Sequence, residues 1–325
     1  MKFRVFVDGQ EGTTGLQIHE RLNLREDVEI LSIDPEKRKD PAVRKELINA
    51  SDVTFLCLPD DAAKESAALC SNPKTRIIDA STAHRTNPGW VYGLPEIAAE
   101  QYEKIAQSTR IANPGCHATA FILGIYPLIQ SGLVSASAAL ASYSITGYSG
   151  GGKKLIATYE ADGAQCSAPG KSPALFAPRP YALSLFHKHV PEMMKVCSLT
   201  TVPFFNPVLG PFYKGMAVTT ALFPQQFSKK AAPEEVARIL SEHYAGRPFV
   251  QVMPYEANPV LDGGALNCTI CNDTNNARIY VFGNKDVMQV TTVIDNLGKG
   301  ASGAAVQNMN IALGLAETTG LKGLL

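Results

Sequence analysis

An apolar strand pattern that runs into a glycine-rich turn and then a helix opens the chain, and no other stretch limits the possible fold as tightly. Residues 2–8 read as a strand through Phe3, Val5, Phe6 and Val7. Gly9, Gly12 and Gly15 follow, with Thr13 and Thr14 between the last two, and Leu16, Ile18 and Leu22 then fall at helical spacing over residues 16–24. Glycines let a backbone approach a pyrophosphate closely, and a helix N-terminus offers it unpaired N–H groups. The spacing is GxxGxxG rather than the commoner GxGxxG, so an ordinary tight turn is the competing reading. Residues 28–33, 52–59 and 76–81 read as further buried strands, with Asp60 and Asp61 opening a helix that reaches residue 69. Near-continuous apolar strands alternating with helices call for a parallel sheet covered on both faces. Ligands of such a sheet collect beyond the C-terminal strand ends. That makes Ser81, His84 and Arg85 site candidates, against ordinary loop polarity. Asp34, at the end of the second strand, suits a ribose 2′-hydroxyl, whereas Ser32, Lys37, Arg38 and Lys39 suit a 2′-phosphate. On these residues alone NAD and NADP both stand.

The remainder has a different character. Residues 138–145 alternate as an antiparallel strand should, and residues 199–204, 216–222, 249–252, 265–270, 277–282 and 288–293 are strand-like. Residues 232–244 read as a helix, and the Ala-, Pro- and Gly-rich stretch 155–185 reads as loop. Gly150, Gly151 and Gly152 before Lys153 and Lys154 suit an anion-binding nest or a flexible loop. Runs of strands with few helices indicate an α+β domain with an antiparallel or mixed sheet. Residues 295–303 form a Gly-rich turn into a helix over 304–317 that would pack back on the first domain. A chain of 325 residues suits about two domains. The expected fold class is therefore α/β plus α+β. A Rossmann-like parallel-sheet domain takes 1–116 with 296–325, and a catalytic and oligomerisation domain takes 117–295.

Lys plus Arg equals Asp plus Glu at 30 each, which gives no electrostatic case for nucleic acid or a membrane surface. No apolar run reaches ~18 residues and no leader precedes the first strand. The seven cysteines are scattered, as in a reducing cytoplasm. Cys268 and Cys271 form an isolated CxxC in a strand-like run, and no metal is expected from the spacing.

Cys116 follows Asn113-Pro114-Gly115, a turn, and precedes the apolar helical run 119–129. At a helix N-terminus the unpaired N–H groups and the dipole favour a thiolate. A buried structural cysteine is the other reading. The cluster His187, His189 and Glu192 supplies what a nucleophilic thiol needs: an imidazole to take its proton and a carboxylate to orient the ring. Which histidine does so is open.

Gly9 to Gly15, Tyr92-Gly93-Leu94-Pro95-Glu96, Asn113-Pro114-Gly115-Cys116, His187-Lys188-His189-Val190-Pro191-Glu192, Asp295 to Ala301 and Gln307-Asn308 together resemble the N-acetyl-gamma-glutamyl-phosphate reductase family of arginine biosynthesis, in its shorter subclass. The motifs span the chain in the family's order. The resemblance implies an NADP-dependent oxidoreductase that reduces N-acetyl-L-glutamyl 5-phosphate to the 5-semialdehyde through a Cys116 thioester. It implies a homo-oligomer, dimer or tetramer, with a small-molecule acyl-phosphate substrate. Carried over by residue, Cys116 is the nucleophile, His189 or His187 the acid/base and Glu192 its orienter. Gly9, Gly12, Thr13, Gly15, Asn296 and Lys299 fall to the cofactor on that resemblance; the residue reading adds Thr14, Ser32, Arg38 and Ser81 to the cofactor, and assigns Asn113, Gly150 and Lys153 to the substrate. One departure stands out: the longer subclass has an Arg after its Ser-Gly loop, where this chain has Lys153 and Lys154, and Lys does not replace Arg in bidentate anion capture. A related aspartyl- or amino-adipyl-phosphate reductase, or an NADP-binding redox regulator sensing through Cys116, would share most of these parts.

Overall fold

A computed structural model describes residues 2–9, 12–161, 175, 177–256, 261 and 263–323. The expected glycine turn is thus described except for Gln10 and Glu11, and most of the expected loop at 155–185 lies outside the described residues. The chain divides into two compact units, Met1–Gly115 with Ala301–Lys322, and Cys116–Gly300.

Among the described residues, the first unit is built on a six-stranded parallel sheet. Its strands are β1 (Phe3–Asp8), β2 (Val28–Leu31), β3 (Val53–Leu56), β4 (Arg76–Asp79), β5 (Val91–Tyr92) and β6 (Arg110–Ala112), in the order β2-β1-β3-β4-β6-β5. Alternate residues of a strand point to opposite faces, and each face has its own core. Val5, Val7, Phe55 and Ile78 pack with Ile18 and Leu22 of α1 (Thr13–Asn23), Ile105 of α4 (Ala99–Gln107), and Val306 and Met309 of α9 (Gly303–Ala312). Phe6, Leu56 and Ile77 pack with Ile48 of α2 (Pro41–Ala50) and Ala63 of α3 (Asp60–Ala68). Burying each such side chain is worth roughly 1.5–3 kcal/mol, so covering both faces is what holds a parallel sheet together.

The second unit carries a mixed seven-stranded sheet. In chain order the strands are β7 (Ala141–Thr146), β8 (Arg179–Pro180), β9 (Phe204–Leu209), β10 (Met216–Leu222), β11 (Val250–Val252), β12 (Ala277–Gly283) and β13 (Met288–Ile294), and the sheet order is β11-β12-β13-β10-β7-β9-β8. Helix α5 (Cys116–Gln130) is apolar nearly all round and lies on β10 and β13. At Gly124 the helix comes close to β13, where a Cβ would stand 3.0 Å from Thr292 Oγ1. Helices α7 (Val190–Val196) and α8 (Pro233–His243) flank α5. The α/β plus α+β class is as expected.

Several local expectations are corrected. Residues 152–161 are helical (α6, Gly152–Ala161), starting at Gly152 with φ +76°. The strand expected at 199–204 forms instead as β9, whose Asn206-Pro207 reads locally as a turn. Residues 265–270 are turns and a single bridge residue. There the Asn267 side chain captures both the Thr269 N–H and its hydroxyl, as an Asx turn does. The last helix stops at Ala312 rather than 317, because Gly314 turns left-handed at φ +71° and its N–H returns to Ile311 O. Helix α2 was not anticipated: its cap is Asp40, its first residue is Pro41, and it buries only Ile48.

Candidate active site

In the second unit Cys116 is the first residue of α5, half-buried. The unpaired N–H groups of that first turn surround it. A turn of π-helix, Gly298–Ser302, comes against it so closely that a Cβ on Gly300 would lie 2.6 Å from Cys116 Cβ. The Cys116 sulfur, one ring nitrogen of His117 and one of His189 lie within 4.8 Å of one another. His189 is the N-cap residue of α7, whose second residue, Pro191, lies in the first turn where an N–H has no partner within the helix. Its Nε2 is 4.0 Å from Glu192 Oε1, and both side chains are buried.

His187 stands beside this group, its ring centroid 4.8 Å from that of His189 and 5.1 Å from that of His117. Its Nδ1 accepts from the His189 N–H at 3.3 Å. Among the described residues it is His189, not His187, that is grouped with the sulfur. Burial, and then Lys188, push the His187 imidazole down to about 4. His117 is held well below the ordinary imidazole value by burial, then by His187 and Lys188. Its Nδ1 pairs with Ser144 Oγ at 2.9 Å and its Nε2 with the Tyr181 hydroxyl at 2.8 Å. Burial, and next the charge of Cys116, raise the Tyr181 phenol. His117 and Tyr181 were missed as side chains by the sequence reading. Three of six histidines converge here, but His117 is seventy residues from His187 and no local spacing announces it.

In the first unit, Asp8 at the end of β1 accepts from Arg44 at 2.8 Å and Ser66 at 2.5 Å, which fixes the strand end that feeds the glycine turn. Gly9 has φ +88°, and any Cβ there would collide with the Cys57 carbonyl. Gly12 caps α1. Among the described residues the buried Thr13 hydroxyl has no hydrogen-bond partner. A left-handed glycine, a helix start and an orphaned hydroxyl fit a phosphate of a dinucleotide. Thr14 and Gly15 complete that first turn, with Gly15 buried. Ser32 and Arg38 are exposed just past β2, on the strand-end edge where a ribose would lie.

Other expected site residues are held by hydrogen bonds within their own unit. Ser81 donates to Asp79 Oδ2 at 2.7 Å, as His84 Nδ1 also contacts that oxygen at 2.7 Å while stacking on Trp90. Arg85 bonds the carbonyls of Asn113 and Ala80. Asn113 donates to Ala301 O and accepts from Asn308, so its amide is taken up inside the first unit. In the second unit Asn296 accepts from the Gly215 N–H and donates to Ser149 Oγ. Lys299 is fully buried with its ammonium over Phe249. These partners fix the Ser81, Asn113, Asn296 and Lys299 side chains in place around the turns expected to face cofactor and substrate. Gly150, in the short turn Tyr148–Gly151 before α6, and Lys153, the second residue of α6, are exposed.

The model of the semialdehyde dehydrogenase NAD binding domain matches residues 5–105, and that of the semialdehyde dehydrogenase dimerisation domain matches 116–296. A Pseudomonas putida protein named N-acetyl-gamma-glutamyl-phosphate reductase 2 is 46% identical over 97% of this chain and 98% of its own length. A Nostoc protein of that name is 44% identical over 98% and 99%, and a Chelativorans N-acetyl-gamma-glutamyl-phosphate reductase 44% over 96% and 99%. Among solved structures, aspartate semialdehyde dehydrogenase II of Vibrio cholerae in complex with ASA superposes with a TM-score of 0.72 at 16% identity, covering 96% of this chain and 98% of that one. At that identity the likeness shows the fold.

Proposed function

The chain belongs to the N-acetyl-gamma-glutamyl-phosphate reductase family, within the semialdehyde dehydrogenases, and from that premise we propose that it reduces N-acetyl-L-glutamyl 5-phosphate to N-acetyl-L-glutamate 5-semialdehyde with NADPH, a step of arginine biosynthesis. The observation that carries this reading is the half-buried Cys116 at a helix start with His189 beside its sulfur.

The Cys116 thiolate attacks the acyl carbon, a sulfur–carbon bond forms, and the carbon–oxygen bond to phosphate breaks. His189 takes the thiol proton as the nucleophile forms, and Glu192 orients that ring. The resulting thioester accepts hydride far better than a carboxylate does. A nicotinamide cofactor supplies the hydride when bound, and Gly9, Gly12, Thr13, Thr14 and Gly15 are the residues that fit its phosphates. The N–H groups at the start of α5 hold the oxyanion of the tetrahedral thiohemiacetal. Its collapse returns the thiolate to Cys116 and releases the aldehyde. Ser32 and Arg38 favour the 2′-phosphate of NADP over NAD, and Lys153 of α6 and Gly150 just before that helix are the choice for the substrate's anionic end.

The match to a dimerisation domain and the exposed Tyr143, Ile145 and Phe204 on β7 and β9 support a homo-oligomer, dimer or tetramer. Free thiols such as Cys57, Cys70 and Cys116 suit a reducing cytoplasm, and no described helix is long and apolar enough to cross a membrane.

The test is the reverse reaction. With N-acetylglutamate 5-semialdehyde, NADP reduction should require inorganic phosphate or arsenate, and aspartate semialdehyde or glyceraldehyde 3-phosphate should turn over at least ~100-fold less efficiently, a margin of about 2.7 kcal/mol in the transition state. Equal efficiency on aspartate semialdehyde would move the protein to another acyl-phosphate class.

A further inference from the structure

The donor set around Cys116 is that of a thiophilic metal site, and we propose that Cys116, His117 and His189 bind one soft divalent cation of the zinc class, which holds the thiol as a metal thiolate and excludes an acyl substrate. Cysteine sulfur with two imidazole nitrogens is a set that zinc takes in proteins, with the fourth position open to water. The three donor atoms already lie within 4.8 Å of one another. Around a single ion, with Zn–S of about 2.3 Å and Zn–N of about 2.0 Å, donors stand at most ~4.3 Å apart and closer in a tetrahedron. Side-chain movements of about 1 Å therefore complete the site.

The surroundings supply what ligands need. The Ser144 hydroxyl on His117 Nδ1, at 2.9 Å, is the outer hydrogen bond that fixes a metal-binding ring. It leaves Nε2, now on the Tyr181 hydroxyl, as the nitrogen a cation takes. Glu192 stands 4.0 Å from His189 Nε2 as an outer carboxylate. The His187 ring, within 5.1 Å of both other rings by centroid, lies close enough to furnish a fourth donor. Binding breaks the Cys116 S–H bond, forms the sulfur–metal bond and releases one proton to buffer, with no change of oxidation state. The cation claim rests on this geometry alone, whereas the exclusion of substrate rests on the proposed role of Cys116.

Cadmium titrated into the full-length protein tests it. One equivalent should raise an ultraviolet thiolate-to-cadmium charge-transfer band, protect Cys116 from iodoacetamide as followed by peptide mass, and be removed by chelator with labelling restored. Cys116→Ala should lose the band. His117→Gln and His189→Gln, with far-ultraviolet circular dichroism verifying the fold, should each weaken binding by ~10-fold or more, while Cys271→Ser should leave it unchanged. A band that survives Cys116→Ala, or equal affinity in both histidine variants and wild type, overturns the proposal: the ion would then sit on other thiols or on a lone sulfur. Because the band and the labelling are read without turnover, an enzyme inactive on acetylglutamyl phosphate still answers the question.

Discussion

Gly300 is a glycine because Cys116 occupies the place of its side chain. A Cβ there meets Cys116 Cβ at 2.6 Å, and Asp295 O and Cys116 Cα at 3.2 Å, and all three are backbone or helix-start atoms with little room to give. Gly300→Ala should shift the sulfur, lowering kcat by ~10-fold or more, since misplacement of a reacting group by about 1 Å can cost ~100-fold. Wild-type kcat in that variant would show that the π-helical turn does not position the nucleophile. The same neighbourhood separates the two histidines. His189→Asn should lower kcat by ~100-fold or more, the range of a lost general acid or base, and His187→Asn by far less, read from steady-state rates at saturating substrate. The reverse order would assign the proton to His187. Neither contrast was legible in the chain: the motif from His187 to Glu192 contains both rings, and only the fold decides which one reaches the sulfur.

Among the elements, those whose patterns are set by burial were legible and those set by local hydrogen bonds were not. The β1 strand, the glycine turn and α1 follow from Val5, Val7, Ile18 and Leu22 on one face and Phe6 on the other, because both faces of the sheet demand apolar side chains. Helix α2 shows little apolar surface and hid behind Lys37, Arg38 and Lys39, while the Asn267 turn and the Pro207-containing β9 defeated a reading by alternation. On the proposed reading, the loop between β2 and α2 carries the choice of cofactor. Arg38→Ala, like Ser32→Ala to a smaller degree, should raise KM for NADPH while leaving KM for NADH nearly unchanged. A loss of roughly 1.5–3 kcal/mol for a charge-assisted hydrogen bond corresponds to about 10- to 150-fold. An equal effect on both cofactors would place these residues away from the 2′-phosphate.

Over the whole molecule the histidine cluster ties stability to pH. Burial pushes the His187 imidazole from its ordinary 6.5 down to about 4 in the folded chain, and burial likewise holds His117 well below its ordinary value. Between those values the unfolded chain binds more protons than the folded one, so stability falls as pH is lowered from 6.5 toward 4. Thermal midpoints measured across that window should decline, and His187→Gln should flatten the decline; an identical slope in the variant would show that the carboxylates, not this ring, govern it. The account as a whole depends on a covalent bond at Cys116. Mixing the protein with N-acetyl-L-glutamyl 5-phosphate and no reductant, then quenching in acid, should release about one phosphate per active site in a burst and leave an N-acetylglutamyl mass on the Cys116 peptide. Phosphate release without that adduct, or the same burst in Cys116→Ala, would contradict it.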